Sequence, residues 1–181
     1  MLMRIIATAV SGLIWCAGAA ANPLHEVRLG ASVQSVGPIS PNVEDGGAIA
    51  AEILFRPIHL GPLGAPMPHL GGSLALDEDA TSFGYLGLTW RAELSKTLFF
   101  DFGVGGAAHD GRTSFNPSTD LPRTGSAFLG CRALFRLHVS PGVRVSKRAA
   151  LLVQWEHLSN ANLCRENEGL DNWGARFAYS F

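Results

Sequence analysis

Apolar and polar side chains alternate along most of the chain after residue 22, and this period of two restricts the fold more than any other feature. Alternation of this kind is typical of β-strands that have one apolar face and one polar face. In the first such stretch the residues on one face are apolar, namely Val27, Leu29, Ala31 and Val33. The residues between them are mostly polar, namely Arg28, Ser32 and Gln34. The pattern predicts strands rather than amphipathic helices.

Eight stretches of this kind follow one another, separated by Gly, Pro, Asn and Asp. The predicted strands are 25–35, 47–57, 69–77, 83–95, 98–108, 126–140, 149–160 and 171–181. Residues 22–181 provide about 20 residues for each strand and its turn, and a membrane-spanning strand needs about 9–11. The fold class predicted is all-β, an eight-stranded antiparallel transmembrane β-barrel of the outer-membrane type.

The composition favours a membrane barrel over a soluble one. Hydrophobic residues make up 47% of the chain and charged residues only 16%, yet no apolar run of about 18 residues follows the N-terminus, which excludes a helical membrane protein. Both signs of charge occur on the polar faces, so ion pairs are able to fill a narrow lumen. The C-terminal face alternates and ends on Phe181, a form typical of outer-membrane proteins. A soluble periplasmic barrel remains an alternative.

The N-terminus is typical of a secretory signal peptide. Arg4 supplies the positive charge, residues 5–18 form the apolar segment, and Ala19-Ala20-Ala21 is a small-residue cleavage site. We therefore expect residues 1–21 to be removed and residues 22–181 to form the barrel, exported to the bacterial outer membrane. An uncleaved anchor helix is the alternative. The net charge of −1 gives no reason to expect nucleic acid as a partner.

Two cysteines, Cys131 and Cys164, remain after cleavage. The predicted strands place Cys131 in the middle of the membrane on the lipid face and Cys164 in an outer loop. Because a disulfide requires close Cα atoms, we expect the two cysteines not to pair.

Three polar residues interrupt an apolar face near the end of the chain. If both termini are periplasmic, the seventh strand ends at the outer rim, and His157 and Ser159 continue its lipid-facing side. Asp171 opens the neighbouring eighth strand with the parity of Trp173. A nucleophile, a base and an acid therefore meet on one outward patch. Ordinary rim residues are the alternative explanation.

The same segment resembles the C-terminal signature of the PagL family of lipid A 3-O-deacylases. Residues 157–161 read HLSNA and residues 167–171 read NEGLD, similar to the family's H-x-S-N-A, N-x-G and final acidic residue. The resemblance implies that His157 is the general base, Ser159 the nucleophile and Asp171 the acid that orients the base. It also implies that Asn160 stabilises the oxyanion and Asn167 contacts the substrate. The family's acid is a Glu, one methylene longer than Asp171.

The resemblance implies an ester hydrolase that removes an acyl chain, at the 3-O position, from the lipid A of lipopolysaccharide in the outer leaflet. Its partners are then lipopolysaccharide and outer-membrane lipids, with a homodimer left open, and we expect no metal or cofactor. Two other functions remain as alternatives: an outer-membrane phospholipase and a non-enzymatic structural or adhesion barrel. Of the predicted outer loops, 36–46, 78–82, 109–125 and 161–170, only the third is long, which disfavours an adhesin.

Overall fold

The chain folds into a closed barrel of eight antiparallel strands, each paired with its neighbours in sequence and β1 paired with β8. The computed structural model describes residues 22–41, 43–116 and 125–181. The strands are β1 Leu24–Val33, β2 Gly47–Phe55, β3 Met67–Ala75, β4 Phe83–Glu93, β5 Leu98–His109, β6 Ala133–Arg144, β7 Ala149–Ser159 and β8 Leu170–Ser180. A short 3₁₀ helix, Gly61–Leu63, precedes β3. The signal peptide predicted at 1–21 lies outside the described residues.

The predicted strands agree with the observed ones except at β6. The prediction began this strand at residue 126, whereas the structure begins it at Ala133 and continues it past Pro141. Residues 126–132 form a rim segment instead, because Gly125 and Gly130 both have positive φ angles, of 82° and 76°, that are incompatible with an extended strand. Leu129, in this segment, is consequently buried.

The polarity of the alternation is that of a membrane barrel, with apolar side chains on the outer wall. Leu29, Val153 and Phe177 are 58%, 51% and 47% exposed there. Arg28 and Glu52, on the opposite face of their strands, are fully enclosed in the lumen. The predicted inside-out arrangement is therefore confirmed. No helix in the described ranges is long and apolar enough to cross a membrane.

Ion pairs fill the middle of the lumen. Arg28 contacts three carboxylates, those of Glu26, Glu52 and Asp101, and Arg91 bridges Glu26 and Asp101. Such buried charges are tolerated because each one has several partners of opposite sign. The network joins side chains of β1 and β2 to side chains of β4 and β5, so it also ties opposite walls of the barrel together.

Three charged residues near the strand ends lie outside the lumen. Arg56 is exposed after β2 and donates to the carbonyl of Asn22, and Arg132 donates to carbonyls of the loop that follows β5. Glu93 pairs with Arg144 at the exposed end of the barrel. All three sit at or beyond the ends of strands, where the alternation no longer determines which face a side chain occupies.

An apolar cluster closes the barrel at the end that carries the long loops. The cluster consists of Phe83, Tyr85, Ala107, Ala127, Leu129, Leu134, Leu158 and Leu170. We call this the loop end, and we number the described parts of its loops L1 (34–41 and 43–46), L2 (76–82), L3 (110–116 and 125–132) and L4 (160–169). A smaller cluster around Phe99 and Leu152 closes the opposite end, where Pro23 and Phe181 lie. The lumen is thus filled from end to end by side chains.

Candidate active site

The predicted site residues lie on two hydrogen-bonded neighbours, β7 and β8. His157 on β7 is directly opposite Asp171 on β8. His157 continues the outward-facing side that holds Val153 and Trp155, and its ring stacks on that of Trp155 at a centroid distance of 6.1 Å. The alternation of β7 therefore carries a polar side chain onto the outer wall near the loop end.

The imidazole of His157 donates its Nδ1–H to the carboxylate of Asp171, with Nδ1 2.6 Å from Oδ1. The side chain of Asp171 is fully buried, whereas that of His157 is 12% exposed. A carboxylate bonded to Nδ1 fixes the tautomer in which Nε2 accepts a proton. The pair therefore has the arrangement of a general base and its orienting acid.

Asp171 has the outward parity that the sequence predicts, but it does not face lipid, because L1 folds over it. The backbone N–H groups of Ile39 and Ser40 donate to Asp171 Oδ2 at 2.8 Å and 3.1 Å. The backbone carbonyl of Asp171 accepts from the N–H of Val36 at 2.9 Å. A Cβ at Gly37 would overlap the Asp171 side chain, so the absence of a side chain there permits the close approach. Nothing in the alternation of the strands indicates this cover.

Ser159 occupies the last position of β7, two residues after His157, on the same outward face and half-buried. In the described part of the chain its hydroxyl makes no hydrogen bond, including none to His157. In serine hydrolases without substrate the bond between nucleophile and base is often long and shortens when substrate binds. Ser159 and His157 are thus placed side by side, without a hydrogen bond between the nucleophile and the base.

Asn160 is buried, and its N–H groups bond within the protein. Its side-chain amide donates to the carbonyls of Leu129 and Glu166, at 2.8 Å and 2.6 Å. Its backbone N–H donates to Asn167 Oδ1 at 2.9 Å. All three of its N–H bonds are therefore used, because its inward parity places it under the rim segment of L3. Asn160 holds L4 in place.

L4 begins with a tight turn directly after Ser159 and Asn160. Ala161 and Asn162 have φ angles of 53° and 61°, and the N–H of Leu163 donates to the carbonyl of Asn160. Two successive left-handed residues define a turn of type I′. For Ala161 this conformation costs about 1 kcal/mol. Backbone strain of this kind is common beside functional groups.

Asn167, predicted to contact substrate, lies beside this turn. Its Oδ1 accepts from the backbone of Asn160, and its amide donates to Asn162 Oδ1 at 2.8 Å on the exposed side of the loop. Asn167 thus connects the end of L4 to its beginning, and its amide nitrogen lies on the surface near Ser159.

Cys131 and Cys164 form a disulfide, contrary to the expectation that they do not pair. Their Cα atoms are 5.8 Å apart, within the range that a disulfide requires. The expectation was wrong because β6 begins later than predicted, which moves Cys131 from the membrane wall to the loop end. The bond joins L3 to L4, the loop that follows Ser159. Within the described ranges, no three His, Cys, Asp or Glu side chains are grouped so as to hold a metal ion.

The closed barrel, its apolar outer wall and its filled lumen define an eight-stranded β-barrel of the outer-membrane type. Residues 66–180 match the family described as lipid A 3-O-deacylase (PagL). This match covers more than half of the chain and includes all three predicted catalytic residues. The chain therefore belongs to the lipid A 3-O-deacylase family, and the family resemblance noted in the sequence is confirmed.

Two solved structures are similar in fold. The first, "Crystal structure of the outer membrane enzyme PagL", has a TM-score of 0.62 at 15% sequence identity and covers 86% of this chain and 99% of that chain. The second, "De novo design of transmembrane beta-barrels", has a TM-score of 0.54 at 12% identity and covers 90% of this chain and 98% of that chain. At these identities the likeness concerns the fold, and it confirms the predicted barrel class. No curated protein matches the chain.

Proposed function

We propose that this barrel is a serine esterase of the outer membrane that hydrolyses the 3-O-linked acyl chain of lipid A. The observation that carries the proposal is the His157–Asp171 pair on the outer wall, with Ser159 beside it. A buried acid bonded to a partly exposed histidine on a lipid-facing surface has little value for stability alone. Membership of the lipid A 3-O-deacylase family supplies the substrate class.

In the proposed mechanism Ser159 attacks the ester carbonyl carbon while its proton passes to Nε2 of His157. The tetrahedral intermediate collapses when the C–O bond to the sugar breaks, and His157 returns the proton to the departing sugar hydroxyl. Water then repeats the sequence on the acyl-enzyme and releases the fatty acid. Asp171 holds the imidazole in position throughout and stabilises its protonated form.

The oxyanion is assigned to donors other than Asn160, whose N–H groups have partners inside the protein. Backbone amides of the turn that follows Ser159 are the nearest candidates, and a turn held rigidly is suited to this role. Asn167 is proposed to contact the substrate through its surface amide. Asn160 then acts by fixing the turn and not by touching the substrate.

The position of the site suits a substrate that is itself a membrane lipid. Lipid A diffusing in the outer leaflet reaches the wall of β7 and β8 sideways, with its acyl chains against the apolar strip formed by Val153 and its neighbours. The filled lumen then has a structural role. This arrangement requires the loop end to face the cell exterior, with residues 1–21 removed as a signal peptide. One chain carries all the proposed groups, so a homodimer is not needed for catalysis.

The test is to express the protein in a Gram-negative host and to weigh the extracted lipid A by mass spectrometry. We expect the parent to remove one 3-hydroxyacyl chain and Ser159→Ala to leave lipid A intact. Ser180, at the far end of β8, provides the matched control, and Ser180→Ala is expected to retain activity. Unchanged lipid A in cells that contain folded parent barrel would contradict the proposal. Release of phospholipid acyl chains instead would assign the site to a phospholipase.

A further inference from the structure

L1 supplies most of the hydrogen bonds that hold the buried carboxylate of Asp171. Two come from the backbone N–H groups of Ile39 and Ser40, and a third comes from the hydroxyl of Ser40, which donates to Oδ1 at 3.3 Å. The fourth comes from His157. Three of the four donors therefore belong to a loop that is about 130 residues away in the sequence.

The hydroxyl of Ser40 is the only one of these donors besides His157 that belongs to a side chain. It lies 3.5 Å from Nδ1 of His157 as well as 3.3 Å from Asp171 Oδ1, so it borders the bond that joins the base to its acid. Ser40 is 6% exposed, which protects this contact from competing water. A hydroxyl in this place restricts the rotation of the carboxylate about its Cβ–Cγ bond.

The rest of L1 is attached to the barrel by bonds that do not involve the Ser40 hydroxyl. The backbone N–H of Ser35 donates to the side chain of Asn172, and that of Val36 donates to the backbone of Asp171. The Ser35 hydroxyl donates to the carbonyl of Pro41 and accepts from the N–H of Val43. L1 is thus attached to the first residues of β8 on one side and closed on itself on the other.

We propose that Ser40 is a positioning residue, which holds the Asp171 carboxylate against Nδ1 of His157 and so acts on catalysis through these two residues. The inference rests on the proposed function. It accounts for an acid one methylene shorter than the glutamate that the family resemblance implies: L1 closes over the short side chain and supplies the contacts that fix it. Ser40 does not touch the reacting atoms.

The experiment compares Ser40→Ala with Ser35→Ala in the purified full barrel. Both variants remove one buried hydroxyl from L1, but the Ser35 hydroxyl bonds only within the loop. Steady-state kcat and KM are measured on lipid A and, separately, on a p-nitrophenyl acyl ester in mixed micelles. The second substrate reports on the catalytic groups even if lipid A is not the natural substrate. The electrophoretic shift of the folded barrel on heating checks that each variant folds.

Ser40→Ala is expected to lower kcat about tenfold, the effect of losing one hydrogen bond to a charged group, with KM within about twofold of the parent. Ser35→Ala is expected to change kcat by less than about threefold. Equal losses in the two variants, or a loss confined to KM, would overturn the inference and leave Ser40 as a loop residue. If the parent cleaves the p-nitrophenyl ester but not lipid A, the proposed substrate fails while the effect of Ser40 is still measured. A folded parent that cleaves neither ester overturns both proposals.

Discussion

Asp101 and Asp171 are both fully buried aspartates on barrel strands, but they lie on opposite faces of the wall. Asp101 points into the lumen, where Arg28 and Arg91 surround it. Asp171 lies on the outer side, where L1 covers it and His157 on the outer wall donates to it. In the lumen the arginines bonded to Asp101 also pair with Glu26 and Glu52, so this network ends within the protein. On the outer side the chain of polar groups leads from L1 through Asp171 and His157 towards the membrane.

The comparison teaches that a buried aspartate in this fold serves one of two purposes, depending on where its network of polar contacts ends. A closed network keeps the lumen filled and joins the strands across the barrel. A network that ends on a basic nitrogen beside a hydroxyl can transfer a proton. The following predictions separate these purposes, beginning with the largest expected effect.

Asp171→Asn and Asp101→Asn make the same chemical change at the two places. Asp171→Asn is expected to lower kcat by about 10⁴-fold, because an amide no longer selects the required tautomer of His157, while the barrel keeps its stability. Asp101→Asn is expected to destabilise the barrel by about 3 to 5 kcal/mol, because it leaves buried arginine charge uncompensated. Lipid A hydrolysis and urea-induced unfolding in vesicles measure the two effects. If both variants lost only activity, or both lost only stability, the distinction between the two aspartates would be contradicted.

Gly37→Ala tests the close approach of L1 to the acid. Because the new methyl group would occupy the space of the Asp171 side chain, we expect kcat to fall about 100-fold, a result of misplacing the acid by about 1 Å. Gly47→Ala is the control at the first residue of β2, directly after L1, where an added Cβ has only ordinary contacts, the nearest at 3.6 Å. Similar kinetics for the two alanine variants would show that L1 does not constrain Asp171.

Removal of the disulfide tests the fixation of L4 by L3. The double variant Cys131→Ser, Cys164→Ser is expected to lose about 2 to 4 kcal/mol of stability, since the bond closes a segment with a sequence separation of 33 residues. We expect the parent to show the same loss after reduction and the double variant to be insensitive to reductant. Thermal unfolding with and without dithiothreitol measures both. If dithiothreitol did not change the unfolding temperature of the parent, the assignment of the disulfide would be contradicted.

Asn167→Ala has the smallest expected effect. It removes the acceptor for the Asn160 backbone N–H and the proposed substrate contact, so we expect kcat/KM to fall about tenfold or less. Asn162→Gly is the partial change, since it removes only the acceptor of the Asn167 amide, while glycine suits the left-handed φ at this position and the bond between Asn160 and Asn167 stays intact. Lipid A hydrolysis rates should fall further in the first variant than in the second.

The strands and their orientation could be predicted because the membrane imposes an alternation that the sequence carries residue by residue. Val153 and His157 lie on the predicted face for this reason. The start of β6 could not, because Ala127 and Leu129 continue the alternation into L3, where they fill the loop end of the lumen. That error also hid the disulfide, although two adjacent signals, Gly130 and Cys131, indicated a rim segment.

The candidate site was predictable as far as parity and strand pairing determine it. His157 and Asp171 belong to one hairpin, and their register follows from the strands. The contacts of Ser40 were not predictable, because L1 has no periodicity and reaches β8 from the far end of the sequence. The bond from Asn160 to the carbonyl of Leu129 was missed for a related reason, since Leu129 belongs to L3, whose path depends on glycines with positive φ.

The most direct test of the central claim is to label the folded parent barrel with a fluorophosphonate and to identify the modified residue by peptide mass spectrometry. An activated serine displaces fluoride and becomes phosphonylated, whatever lipid is the natural substrate. The account predicts that the label is found on Ser159 and that labelling is strongly slowed in Asp171→Asn. Absence of label from Ser159 in a folded barrel, or equal labelling of both proteins, would contradict the assignment of an active site on the outer wall.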